Sequence, residues 1–159
     1  MIQHILLIFL ITFVPTLELR ASIPYGILKS ELSWELVFLV ASISNILLAV
    51  FVWFFIKYLM RYFLKIKIIS QYYNKLVVQT QEKIKPYIHK YGVLGLAVFI
   101  GIPLPGSGVY TGGFGAYLLG YDFKEYFIAS VLGVLIAAII VTLVMISGGA
   151  AVNLFIKII

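Results

Sequence analysis

The stretch "LELRASIPYG", residues 17–26, sets a carboxylate, Glu18, and a guanidinium, Arg20, two residues apart in an otherwise apolar N-terminal region, and follows them with Pro24 and Gly26. A carboxylate can take up and release a proton, and a guanidinium can hold an anion through a fork of N–H donors. Residues at i and i+2 diverge on a helix but point the same way on an extended chain. Pro24 disfavours the α region at Ile23 and leaves the Arg20 carbonyl without its helical partner, so a break is expected here that lets one cavity see both charges. An unwound tip also exposes N–H groups at half-helix N-termini, which favour anions such as phosphate or carboxylate.

A second stretch, "IPLPGSGVYTGG", residues 102–113, carries no charge but offers the hydroxyls of Ser107, Tyr110 and Thr111. Pro103 and Pro105 would free the carbonyls of Phe99 and Gly101, and Gly106, Gly108, Gly112 and Gly113 allow a tight, irregular turn. With its glycine N–H groups this second tip has the makings of an anion nest facing the charged one, unless its glycines serve only close helix packing. It is not a P-loop, since no Lys follows the glycines and no strand precedes them. Asn45 either lines the same cavity or hydrogen-bonds between helices. The expected substrate- or ion-binding set is therefore Glu18, Arg20, Pro24, Gly26, Asn45, Pro103, Pro105, Gly106, Ser107, Gly108, Tyr110 and Thr111, with no catalytic residue, cofactor or metal. His4 and His89 stand at the ends of apolar runs and are placed at the membrane interface; neither has the spacing of a metal ligand.

These residues must be positioned by membrane helices. The 159 residues are 63% hydrophobic and 11% charged, with a mean hydropathy of +1.11, whereas an ordinary soluble domain is about 25% charged. Trp34 to Ile56 carries one charge, Glu35, and Tyr126 to Ile146 carries none; each exceeds the roughly 20 residues a helix needs to cross the hydrocarbon. The net charge is +6, from 12 Lys and Arg against 6 Asp and Glu, and most of the basic residues fall within 57–92 beside one acid, Glu82. By the positive-inside rule that linker is cytoplasmic. Its repeat of Lys57, Arg61 and Lys65 with Tyr58 and Tyr62 predicts an amphipathic helix on the anionic inner surface rather than a nucleic-acid site. The absence of cysteine excludes disulfides, thiol catalysis and Cys-based metal sites. A cleaved signal peptide is not expected, since "MIQH" is barely charged and Pro15 interrupts the apolar run.

The chain divides into two halves: a broken hairpin over 2–30 and a span over 34–56, then, after the linker, a hairpin over 93–120 and a span over 123–148. A shift of 88 pairs Pro15 with Pro103, Ala41 with Ala129, Ser42 with Ser130 and Ala49 with Ala137. Ala41, Asn45 and Ala49 form one small-residue stripe and Ala129, Gly133 and Ala137 another, a spacing that lets helices approach closely in a bilayer. An apolar run of 10 residues such as Val93 to Ile102 rises only about 15 Å, half the hydrocarbon thickness. Irregular backbone at that depth must be buried in protein or line a polar cavity. The expected fold is an all-α membrane protein of two inverted repeats, each a re-entrant hairpin followed by one transmembrane helix. Four ordinary spans are the alternative: hairpins put both termini outside, four spans put both inside.

"ELRASIPYG" followed, after a basic loop, by "PLPGSGVYTGG" resembles the small multidrug export proteins over nearly the whole chain, and these in turn look like distant relatives of the DedA and VTT-domain membrane proteins. The resemblance implies opposed re-entrant hairpins and movement of lipid carriers such as polyprenyl phosphate or phospholipids. It assigns Glu18 and Arg20 to the acid and base of the first hairpin, Pro24 to its break, and Pro103, Pro105, Gly106 and Gly108 to the break of the second. DedA proteins proper carry an Arg in the second hairpin, and this stretch is uncharged.

Glu18 and Arg20 admit two roles: snorkelling anchors at the interface, or a functional pair at a hairpin tip, since a charge near the bilayer centre costs roughly 2.5–3.5 kcal/mol and needs a reason to be there. The second role predicts a non-enzymatic, multi-pass transporter or flippase of the cell membrane. It would move an anionic lipid-like substrate with proton or ion coupling through Glu18 and with Arg20 as the anion contact. An exporter of small hydrophobic cations, in which Glu18 alone binds the substrate and Arg20 is structural, is the first alternative, and a non-transporting scaffold the second. The partners expected are membrane lipids, an anionic lipid carrier or small molecule, and a second copy of the chain as a homodimer, but no nucleic acid.

Overall fold

The computed structural model describes residues 1–15, 17–66, 70–71, 92–104 and 106–148. Pro105, His89 and most of the basic linker lie outside them. Among the described residues every regular element is a helix: α1 (Ile2–Thr12), α2 (Glu18–Lys29), α3 (Trp34–Phe63), α4 (Val93–Gly101), α5 (Val109–Leu119) and α6 (Phe123–Ile146). The order short, short, long thus occurs twice. At 1.5 Å per residue the short helices rise about 14–18 Å each, while α3 and α6 rise about 45 and 36 Å. Only α3 and α6, among the described residues, are long and apolar enough to cross a membrane. The helix α3 continues past Ile56 to Phe63, so Lys57, Tyr58, Arg61 and Tyr62 extend that helix instead of starting a separate one.

Local chemistry sets the ends. Ser33 caps α3 by accepting from the Leu36 N–H. Asp122 and Glu125 form a reciprocal capping box on α6, at 2.7 and 2.9 Å; such caps answer N–H groups that a helix start leaves unpaired. The first break spans residues 13–17. There α1 tightens into i to i+3 bonds at Phe13 and Val14 before Pro15, which lacks an amide proton to continue the ladder. The second break spans 102–108: Ile102 is extended, with ψ 119°, as a residue before proline prefers. Gly106 and Gly108 then take φ values of 88° and 117°, which L side chains rarely adopt.

Pro24 does not break the chain, contrary to the expectation from sequence. The helix α2 runs through it without interruption; neighbouring helices in a membrane bundle can support a proline's unpaired carbonyl. Gly26 is likewise no hinge. It is a close-approach point, where an added Cβ would lie 2.9 Å from a Val37 methyl and 3.0 Å from Ile8.

Packing relates the two halves. The helix α1 packs on α2 and α3, and α4 packs correspondingly on α5 and α6; α2 packs on α3 and α6, and α5 on α6 and α3; α3 and α6 pack on each other. Exchanging the halves leaves that set of pairs unchanged. Both small-residue stripes are buried. At Gly133 an added Cβ would come within 2.7 Å of the Ala97 carbonyl oxygen and of Ile100, so α4 lies directly against α6 there. Trp53 stacks on Tyr126 with ring centroids 5.2 Å apart and also meets Tyr117 and Phe123, joining α3 to α5 and α6.

Candidate functional site

The two breaks meet, and the side chains of the first complete the backbone of the second. Arg20, on the first turns of α2, is 8% exposed. Its Nη1 donates to the Leu104 carbonyl, and its Nη2 lies 3.3 Å from the Ile102 carbonyl, 2.7 Å from the Ser107 carbonyl and 2.9 Å from Ser107 Oγ. These are carbonyls that α4 and the following turn leave without helical partners. They also lie at the negative, C-terminal end of α4, where a cation is favoured. A planar guanidinium with several fixed donors suits such a cluster. Ser107 Oγ stands 2.5 and 2.8 Å from the same Ile102 and Leu104 carbonyls and braces the turn.

Glu18 serves the opposite end. It is 3% exposed, and its Oε2 and Oε1 accept from the Val109 and Tyr110 N–H groups at 3.2 and 3.4 Å, the first orphan donors of α5. Its backbone has φ 46°, an unfavourable value for a non-glycine residue, which costs on the order of 1–2 kcal/mol. Glycine at 108 is required by this approach. Besides its φ of 117°, an added Cβ would lie 2.6 and 2.8 Å from the two carboxylate oxygens and 3.0 Å from Arg20 Nη2. The anion nest anticipated in the second tip is therefore present, and the anion in it is Glu18.

The clamp is reciprocal. From α5, the Tyr110 hydroxyl donates 2.6 Å to the Phe13 carbonyl, the end of α1 in the first break. Within the first hairpin, Thr12 donates to Ser22 Oγ at 2.8 Å. Asn45, on α3, is completely buried beside the Glu18 carboxylate, although neither its Oδ1 nor its Nδ2 has hydrogen-bond geometry to any group among the described residues.

Several sequence expectations change here. Glu18 and Arg20 do not point the same way from an extended chain; they start a helix and diverge, one to each end of the second break. Arg20 is not an open anion contact, because its donors are directed to carbonyls and Ser107. Thr111 is exposed, with only a 3.5 Å contact to the Gly108 carbonyl, and an added Cβ at Gly106 would meet nothing within 4 Å, so neither belongs to the clamp. Pro103 acts through the chain direction at Ile102. Pro24 instead borders an apolar cleft of about 330 Å³ that also takes in Leu17, Ala21, Tyr25, Leu28 and Lys29.

Sequence reasoning missed Tyr126 and Ser130. Tyr126 is fully buried, donates 3.0 Å to the Val109 carbonyl and stands beside Ser130. The pairing of Ser42 with Ser130 at the 88-residue shift was the available signal, since both hydroxyls are buried and have no partner among the described residues.

A family model described as "Putative small multi-drug export protein" matches residues 18–140, more than half of the chain. The match opens on Glu18 itself, just after the first break, and includes the second break, all of α3 and α6 as far as Ile140. No curated protein and no solved structure matches.

Proposed function

The chain belongs to the small multi-drug export family, and from that premise we propose that it exports small hydrophobic cations, with Glu18 as the charge that receives them and Arg20 as a structural clamp. The carrying observation is the unequal commitment of the two charges. Arg20 spreads four contacts over carbonyls and Ser107, whereas the buried Glu18 carboxylate rests on two N–H bonds of 3.2 and 3.4 Å. A cation approaching Glu18 competes with the partial positive charge of a helix start, which is equivalent to only about half an elementary charge. The apolar cleft beginning at Leu17, the residue before Glu18, suits the hydrophobic body of such a substrate, as small-molecule sites are mostly apolar with a few placed polar groups. Movement of an anionic lipid finds no such support, because the only buried cation among the described residues is occupied by the protein's own backbone.

In this proposal α1–α2 and α4–α5 are re-entrant hairpins whose tips meet near the bilayer midplane, in two repeats of opposite orientation. The half-membrane length of each short helix and the pairing pattern that survives exchange of the halves support it. The protein is then a multi-pass protein of the cytoplasmic membrane with linker 57–92 in the cytoplasm. Protonation of Glu18 and cation binding are mutually exclusive, which couples export to proton entry. Drawing Glu18 off α5 loosens the interlock and lets the two tips part.

Binding separates the roles. In detergent, Glu18→Gln is expected to lose affinity for a hydrophobic cation such as tetraphenylphosphonium by about tenfold or more, while Arg20→Lys keeps affinity within a few-fold. Equal loss in both variants contradicts the assignment. Labelling of single cysteines placed at Ile2, Leu32 and Ile158 tests the topology: hairpins make residues 2 and 158 reactive from outside, four spans from inside.

A further inference from the structure

The end of α3 and the start of α6 meet at one rim of the bundle, far from Glu18. At about 45 Å, α3 is longer than the roughly 30 Å of hydrocarbon it has to cross, and the excess falls on the end that carries Lys57 and Arg61. The ring of Phe123, the first residue of α6, lies 5.4 Å from that of Phe54 and 6.3 Å from that of Trp53. Lys57 stands one turn beyond Trp53 and Phe54, and Lys124 directly follows Phe123, so cations from both helices come to the same level. Val52, Trp53 and Ile56 are buried, whereas Phe54, Lys57, Tyr58, Arg61 and Tyr62 are exposed; at 3.6 residues per turn the exposed set shares the outward side of α3. Residues 51–66 include no acid. On α6, Asp122 and Glu125 each give an oxygen to the other's backbone N–H.

We propose that this rim binds a phospholipid with an anionic headgroup. Lys57, Arg61 and Lys124 hold the headgroup, Tyr58 and Tyr62 stand at its level, and an acyl chain runs down over Phe54 and Phe123 along the seam between α3 and α6. Tyrosine, with an apolar ring and a polar tip, belongs at that depth, and basic residues there attract anionic lipids. A zwitterionic lipid offers the same chains but sets its own cation against these three. A soluble anion offers charge without a chain for the aromatic rings. The site depends on α3 and α6 crossing the membrane and not on which ion the protein exports.

Trp53, 5% exposed and beside Phe123, is the reporter, and Trp34→Phe removes the second tryptophan of the chain. The full chain with that substitution is reconstituted into phosphatidylcholine vesicles. A small fraction of the lipid is either phosphatidylglycerol or phosphatidylcholine brominated on its acyl chains, and quenching of Trp53 is measured. Phosphatidylglycerol is expected to occupy the seam about tenfold or more in preference to phosphatidylcholine. Lys57→Gln should lower that preference about fivefold, and Lys57→Gln, Arg61→Gln and Lys124→Gln together should bring it to about one. All three side chains are exposed, so the fold should survive. Lys29→Gln, an equal loss of charge beside the opposite end of α3, should leave the preference unchanged. Equal quenching by the two brominated lipids, a preference that the triple variant keeps, or one that Lys29→Gln lowers as much as Lys57→Gln does, would overturn the proposal. Relief of quenching by inorganic phosphate beyond that by chloride at equal ionic strength would make this a site for free anions and overturn its assignment to lipid.

Discussion

The start of α2, just after the first break, contributes two charged side chains and no left-handed glycine, whereas the second break contributes two left-handed glycines and no charge. Each has what the other lacks. The second break leaves a carbonyl end on α4 and an amide end on α5 within a few residues, and the first supplies a guanidinium for one and a carboxylate for the other. A helix start and a helix end buried in protein cannot be left bare. The pair at 18 and 20 is therefore explained first as the completion of a neighbour's backbone, and only then as a site. On the proposed function, the asymmetry separates the roles: the charge with more and shorter contacts is scaffold, and the one with fewer and longer contacts is the working group.

The comparison breaks most completely at Gly108, where the two tips touch. Gly108→Val puts a side chain into the space of the Glu18 carboxylate and the Arg20 guanidinium at a φ that side chains avoid. It should cost at least about 4 kcal/mol and leave no cooperative thermal unfolding transition in detergent. Arg20→Leu comes next, because it removes the shared donor of the turn, strands the Ser107 carbonyl and leaves those of Ile102 and Leu104 to the bonds within the turn; a loss of about 3 kcal/mol is expected in the same measurement, with Arg20→Lys recovering part of it.

Tyr110→Phe sharpens the comparison from the other side by deleting a side-chain bond that runs from the second hairpin to the backbone of the first. About 1 kcal/mol of destabilisation is expected. Thr111→Ala, one residue on but exposed, should change stability by less than about 0.5 kcal/mol. A Thr111 effect as large as that of Tyr110 would mean that the hydroxyls of this turn act together and not singly.

Much of this architecture is legible in the sequence, and the exceptions have particular causes. Hydropathy alone locates α3 and α6, and the proline and glycine cluster locates the second break, because Pro103 and the glycines act on their own backbone. For the first break the local pattern points to Pro24, whereas the break lies around Pro15. Each proline carries the same local signal, and only burial of α2 against α1 and α3, with Gly26 pressed on Val37, makes a helix through Pro24 tolerable. The partners of Glu18, Arg20 and Tyr110 lie more than about eighty residues away along the chain; no local pattern encodes such pairs. Asn45 is identifiable as an odd polar residue in a span, but its place beside Glu18 depends on the packing of α3 on both hairpin tips.

The central claim, that Glu18 works while Arg20 holds, is tested most directly by efflux of a hydrophobic amine from proteoliposomes under an inward proton gradient, with wild type and Glu18→Gln compared. The single amide oxygen introduced by Glu18→Gln can still accept from one of the two N–H groups, Val109 or Tyr110, while the other loses its acceptor, so unfolding should shift by no more than about 2 kcal/mol. Efflux should fall to the level of protein-free liposomes. Gradient-driven efflux that persists in the folded Glu18→Gln protein would contradict the account.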